Sequence, residues 1–238
     1  MSKKEHFGMA ADGATEVVFS MDTTGSMQGC IAQVRSQLEE IAEEMLHEIE
    51  GLKIGFIAHG DYCDGDNLIN SLPLTSDKAA IFDFIRNAPN TTGGDAPEAY
   101  ADALHEAQSL GWSGPGGALI MIGDAPCHPA SHDANTNNYD WKEETDKLKE
   151  MGISIYALEC QGGDQFWKDL AEHADTPLMR LNDFVESAEM VKGFAYAAAG
   201  ADAFDAYESK LAASGTASAE TVTRNSALRK ESMKFKKG

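Results

Sequence analysis

A chain of 238 residues is long enough for one sizeable α/β core, or for one domain with extensions. Its formal net charge of −20 argues against a nucleic-acid surface, which needs clustered Lys and Arg. No apolar run approaches the roughly 18 residues of a membrane span, and Met1 to Ala14 contain no apolar signal-type core, so the expectation is a cytoplasmic protein that meets neither nucleic acid nor membrane.

Residues 1–13 are polar and read as a frayed N-terminus. An apolar, β-rich run, Val17-Val18-Phe19-Ser20-Met21, ends abruptly in Asp22-Thr23-Thr24-Gly25-Ser26-Met27. A helical pattern follows at once, so the segment reads as strand, turn, helix. Asp22, Thr24 and Ser26 stand at alternate positions where the chain leaves the strand, so their oxygens can turn towards one point. Three hard oxygen donors suit Mg²⁺, Mn²⁺ or Ca²⁺ better than zinc or copper. The plainer alternative is a hydroxyl-rich helix cap with an Asp beside it.

Met27, Ile31, Val34, Leu38, Ile41, Met45 and Ile49 recur at steps of three and four, predicting a long amphipathic helix that Gly51 ends. Lys53 to Ala58 reads as a buried strand. His59 to Asn67 is an acidic, turn-rich loop; it departs from the EF-hand pattern, which favours a solvated loop over a second cation site. A short strand near Ile69 to Leu74 and a short helix from Asp77 to Asn87 follow.

The loop Asn90-Thr91-Thr92-Gly93-Gly94-Asp95-Ala96-Pro97-Glu98 runs into a predicted helix, with Pro97 and Glu98 in its first turn and Ala99 to Leu110 continuing it. Glu98 can serve there simply as a partner for the helix dipole. Gly117 to Gly123 is a continuous apolar run of the kind a parallel strand buried on both faces requires, and it ends in Asp124. His128 and His132 beside Cys127 can be read as zinc donors, but without Cys-x-x-Cys or His-Glu-x-x-His spacing a surface loop is the preferred reading. Cys30, Cys63, Cys127 and Cys160 show neither zinc nor disulfide spacing, and all four fall near carboxyl ends of predicted strands.

The rest alternates as before. Trp141 to Met151 is predicted helical, Ile153 to Leu158 a strand, and Gly162-Gly163 open a helix with Phe166, Trp167 and Leu170 inward. Leu178 to Leu181 is a last short strand and Phe184 to Ala199 a final helix, which residues 201–213 can extend. Residues 214–238 read as a disordered basic tail. Residues 222–238 carry six cations against Glu231, which makes that stretch +5 and leaves −25 in residues 1–221. Repeated strand-then-helix units imply an α/β fold, Rossmann-like and doubly wound, with a mostly parallel sheet flanked by helices on both faces. The loops at Asp22, Glu98 and Asp124 would then meet at the carboxyl edge of that sheet.

Asp22-x-Thr24-Gly25-Ser26-Met27 resembles the metal-ion-dependent adhesion site of von Willebrand factor type A domains. Gly94-Asp95-Ala96-Pro97-Glu98 looks like the Asp-x-Pro-Glu loop of integrin β-subunit type A domains, in which the Glu binds the metal and replaces the usual Thr, with Thr92 as the alternative. Asp124 matches the last acidic position of that site, within an Asp-Ala-x-x-His pattern. The resemblance covers residues 14–200 and implies that Thr24, Ser26 and Glu98 contact a divalent cation (Mg²⁺, or Ca²⁺ or Mn²⁺) while Asp22 and Asp124 hold its waters. It further implies a non-enzymatic domain whose metal accepts an acidic side chain from a protein partner. Met27, Gln28 and Gly29 stand where integrin β domains carry an acidic pair, and Gly-rich sequence precedes Asp95, so neighbouring calcium sites are not expected. The alternatives are a metal-dependent hydrolase or phosphatase, and a metal that only locks three loops together.

Overall fold

Alternating apolar side chains over Glu16–Asp22 give the central strand, β1, two buried faces. Val17, Phe19 and Met21 enter one core, and Val18 enters the other. The structure, a computed structural model, describes residues 15–160, 163–181, 192–193, 196–197 and 201–214. The same two-sided split recurs along β2 (Lys53–His59), β4 (Ala118–Gly123) and β5 (Ser154–Cys160), while β3 (Ile69–Thr75) and β6 (Met179–Leu181) form the two edges. The sheet order is β3-β2-β1-β4-β5-β6, and every pairing is parallel except β2 with β3. This is the doubly wound, mostly parallel α/β architecture that the strand-helix alternation implies.

One face is covered by α1 (Gln28–Glu48), α2 (Lys78–Asn87) and α6 (Ala201–Ser214). Ile31, Leu38 and Met45 of α1, Ile81 and Ile85 of α2, and Phe204 and Tyr207 of α6 share that core with Phe19 and Phe56. The other face is covered by α3 (Tyr100–Ala107), α4 (Trp141–Glu150) and α5 (Gln165–His173), through Leu104, Leu148, Trp167 and Leu170. Each such side chain contributes about 1.5–3 kcal/mol on burial, so both layers are held to the sheet chiefly by apolar area. Among the described residues no helix is long and apolar enough to cross a membrane.

Three local features refine what the sequence predicts. β3 is antiparallel because the segment between His59 and Ile69 is a short turn of 3-10 helix over Tyr62–Asn67, too short for a parallel crossover. As an edge strand it tolerates Pro73. Second, α3 starts at Tyr100, not at Pro97. Glu98 instead donates its backbone N–H to Pro126 O (2.8 Å) and accepts from His128 N (3.1 Å), forming a parallel bridge with Cys127. Third, α5 is opened by Asp164, whose side chain accepts from Phe166 N; of the predicted glycine pair, Gly162 lies outside the described residues. Cys63, Cys127 and Cys160 form no disulfide among the described residues and lie at or just beyond the carboxyl ends of β2, β4 and β5. The predicted helix from Phe184 to Ala199 and the basic tail fall largely outside the described residues.

The order of strands reverses at β1, with β2 on one side and β4 on the other. Loops leaving the carboxyl ends of β1 and β4 therefore diverge to opposite faces and leave a crevice between them, the place where open α/β sheets bind ligands.

A candidate metal centre at the sheet switch point

Asp22 ends β1 and is 0% exposed. Its Oδ1 accepts from Thr24 N (2.8 Å) and Thr24 Oγ1 (2.6 Å), and its Oδ2 accepts from the Tyr100 hydroxyl (2.5 Å). A buried carboxylate needs such donors, and three of them hold it rigidly. Tyr100 is the first residue of α3. Its ring stacks on Phe166 and meets Trp167 and His59 edge-on, and its hydroxyl also accepts from Ala125 N at 3.3 Å. Burial, together with the Asp22 carboxylate, pushes the phenol well above its ordinary range. Gly123 makes this reach possible, because a Cβ there would stand 2.3 Å from the Tyr100 hydroxyl and 2.8 Å from the Trp167 ring.

From Asp22 the polar atoms run outward. Thr24 Oγ1 lies 3.4 Å from Ser26 Oγ, and Ser26 Oγ donates to Asp124 Oδ1 at 2.9 Å. The turn thus joins a residue 98 positions further along the chain. Glu98 comes from the opposite side on the Gly93–Glu98 loop and is 3% exposed. Gly93 has a positive φ of 67°, and a Cβ on it would meet Glu98 Oε1 at 3.0 Å and Thr24 Cβ at 3.3 Å. Glycine is required there both for its conformation and for the close approach of the two loops. A cavity of about 440 Å³ opens above these groups, lined by Ser26, Thr92, Gly94, Glu98, Asp124 and Pro126.

The loop from His59 to Asn67, which by composition resembles a solvated turn, is a clamp on this site. Asp61 and Asp64 form a reciprocal capping box, and Asp61 is 3% exposed. Asp64 accepts from Thr92 N (3.0 Å), Thr92 Oγ1 (3.1 Å) and Gly93 N (3.3 Å); Asp61 accepts from Gly94 N (3.2 Å). Burial raises the Asp64 carboxyl, but hydrogen bonds from Asp61, Thr92 and Gly93 outweigh it and hold it below its usual value. The Thr92 hydroxyl is consequently spent on Asp64, whereas Glu98 faces Thr24. Sequence reasoning misses Tyr100, Asp61 and Asp64 as parts of this region. Tyr100 carries one faint signal, a hydroxylated aromatic two residues beyond an acidic loop.

The site is over-supplied with acceptors. Glu98 Oε2 is buried with no hydrogen-bond partner. Burial first, then the charges of Asp22 and Asp61, push the Glu98 carboxyl up to about 9, against a hydrogen bond with Thr24. Asp124 is raised by burial too, against its hydrogen bond from Ser26. Two hydroxyls and three carboxyls, one with an unpartnered buried oxygen, fit a hard divalent cation, whose charge would offset the mutual repulsion of about three negative charges. Softer thiol or thioether donors are not among them.

Residues 16–145 match a family model described as the von Willebrand factor A domain. Among curated proteins, the alpha-protein kinase vwkA of Dictyostelium discoideum is 24% identical over 132 residues, which is 54% of this chain and 21% of the kinase. The chain thus spans about a fifth of the length of that relative. The pilus adhesin SpaC from Lactobacillus rhamnosus GG, in its open conformation, superposes with a TM-score of 0.56 at 16% identity, over 82% of this chain and 30% of the adhesin. A conserved hypothetical protein, BatB from Bacteroides thetaiotaomicron, gives a TM-score of 0.55 at 17% identity, over 75% of this chain and 96% of its own.

Proposed function

Because the chain belongs to the von Willebrand factor A domain family, we propose that it is a divalent-cation-dependent protein-binding module. Thr24, Ser26 and Glu98 would hold the ion, and Asp22 and Asp124 would hold its waters. The ion supplies a Lewis-acidic position that can accept an anionic oxygen. The protein supplies everything else: Asp22 is locked by Thr24 and Tyr100, Glu98 is held by the Pro126 and His128 backbone, and Asp61 and Asp64 fasten the loop between them. The cavity above Ser26, Glu98 and Asp124 admits an acidic side chain from a partner protein.

The single observation that carries this reading is the buried, unpartnered oxygen of Glu98 facing Thr24 across Gly93. An adhesin among the structural neighbours is in keeping with a binding role. Asp22 is a poor nucleophile as it stands, since both its oxygens accept short hydrogen bonds. That favours binding over phosphoryl transfer. Calorimetry with Mg²⁺ and Ca²⁺ tests the cation, comparing the unaltered protein with Ser26→Ala, an exposed position whose loss spares the core. Binding heat in the first and a loss of affinity of about tenfold or more in the second is expected. Negligible heat in the unaltered protein rejects the reading. Capture of a partner that is released by EDTA and restored by Mg²⁺ tests the rest.

A further inference from the structure

Beside the hard-cation centre, whose cavity Asp95 also lines, stand Asp95, His128 and His132. Each offers a donor atom, and the three atoms lie within 4.8 Å of one another. The sequence favours a surface loop for the two histidines; instead His128 is 2% exposed. Its Nε2 lies 2.8 Å from Asp61 Oδ1 and 3.5 Å from Asp95 Oδ1, and its Nδ1 is buried with no hydrogen-bond partner. The two imidazole rings stand 4.1 Å apart between centroids. Tyr62 backs both of them, at 5.1 Å from His128 and 5.5 Å from His132, and is itself anchored by its hydroxyl to Asp102 (2.8 Å).

We propose that Asp95, His128 and His132 form a second metal site, selective for a borderline transition cation such as Zn²⁺ or Co²⁺, with Asp61 beside His128 as the supporting carboxylate. Two imidazoles and a carboxylate are the donor set of a zinc centre with an open position and are poorly matched to Mg²⁺. The supporting parts are in place without the ion. Tyr62 fixes the ring planes, and Asp61 is held by Gly94 N while its other oxygen meets His128 Nε2, which leaves the unpartnered Nδ1 of His128 as the nitrogen for the ion. Asp95 is 60% exposed in its side chain and can close onto the histidines at little cost in packing. The exposed thiol of Cys63 lies close to Gly94, since a Cβ on that glycine would sit 3.1 Å from both Cys63 Sγ and Asp61 Oδ2, so it is the rival donor to eliminate.

The full chain is titrated with Co²⁺ in excess Mg²⁺, following the visible ligand-field absorption, and Zn²⁺ is then added in competition. The expected result is a single Co²⁺ equivalent with a low-symmetry spectrum, displaced by Zn²⁺. His132→Ala and, as a surface change that leaves the fold intact, Asp95→Asn should each weaken it about 100-fold. Ser26→Ala and Cys63→Ser should leave it unchanged. Undiminished Co²⁺ binding in both His132→Ala and Asp95→Asn overturns the site, as does loss of binding in Cys63→Ser with a thiolate charge-transfer band. Because the signal is read with Mg²⁺ present and with Ser26→Ala as control, its failure is distinct from failure of the Mg²⁺ centre.

Discussion

Replacing Glu98 by Gln should stabilise the metal-free protein at alkaline pH while abolishing its response to Mg²⁺. The carboxyl is pushed up to about 9 by burial and by Asp22 and Asp61, so the folded, metal-free chain retains a proton that the unfolded chain releases near its ordinary carboxylate value. Protons then bind the folded state more strongly, and stability falls as pH rises from that ordinary value towards 9. Each tenfold difference in proton affinity between the folded and unfolded chain is worth about 1.4 kcal/mol, but water in the cavity and relaxation of the Gly93–Glu98 loop will blunt the full effect, leaving about 2 kcal/mol at pH 8. In a domain of this size that is a gain of about 4–8 °C in Tm for Glu98→Gln. Scanning calorimetry in EDTA at pH 5 and pH 8 measures it, with the two proteins alike at pH 5 and the variant higher at pH 8. In Mg²⁺ at pH 8 the order should invert, because only the unaltered protein gains binding energy from the ion. A variant that melts at or below the unaltered protein in EDTA at pH 8 would falsify the charge argument.

Two further substitutions probe the scaffold. Tyr100→Phe keeps the ring among His59, Phe166 and Trp167 but withdraws the hydroxyl from Asp22; it should lower stability by about 1–3 kcal/mol and weaken Mg²⁺ binding, as thermal melts with and without the ion will show. An unchanged Mg²⁺ affinity would mean that Thr24 alone suffices to hold Asp22. Gly123→Ala drives a methyl group against the Tyr100 hydroxyl and the Trp167 ring, both fixed in the core, and should cost about 1–3 kcal/mol in urea unfolding, with relief when combined with Tyr100→Phe.

The organisation of the chain is largely legible from sequence because it is written in local periods. The step-of-three-and-four recurrence from Ile31 to Met45 marks α1, the unbroken apolar runs mark β1 and β4, and the carboxylates Asp22 and Asp124 stand where those runs stop. Strand-helix alternation then determines that these ends share one edge of the sheet, whatever the loops do. Roles that depend on a partner far along the chain leave no such trace. The acidic segment at Asp61 and Asp64 has the composition of any solvated turn, yet it fastens the Thr92–Gly94 backbone 28 to 33 residues away. His128 looks like a surface histidine and is buried against Asp61. Tyr100 looks like a core aromatic, and its hydroxyl holds the carboxylate at the end of β1. Periodicity reports how a segment meets its own neighbours in sequence. Which side chain satisfies a buried charge is settled only when distant loops are brought together, because hydrogen bonds and ion pairs act over a few ångströms and are indifferent to separation along the chain.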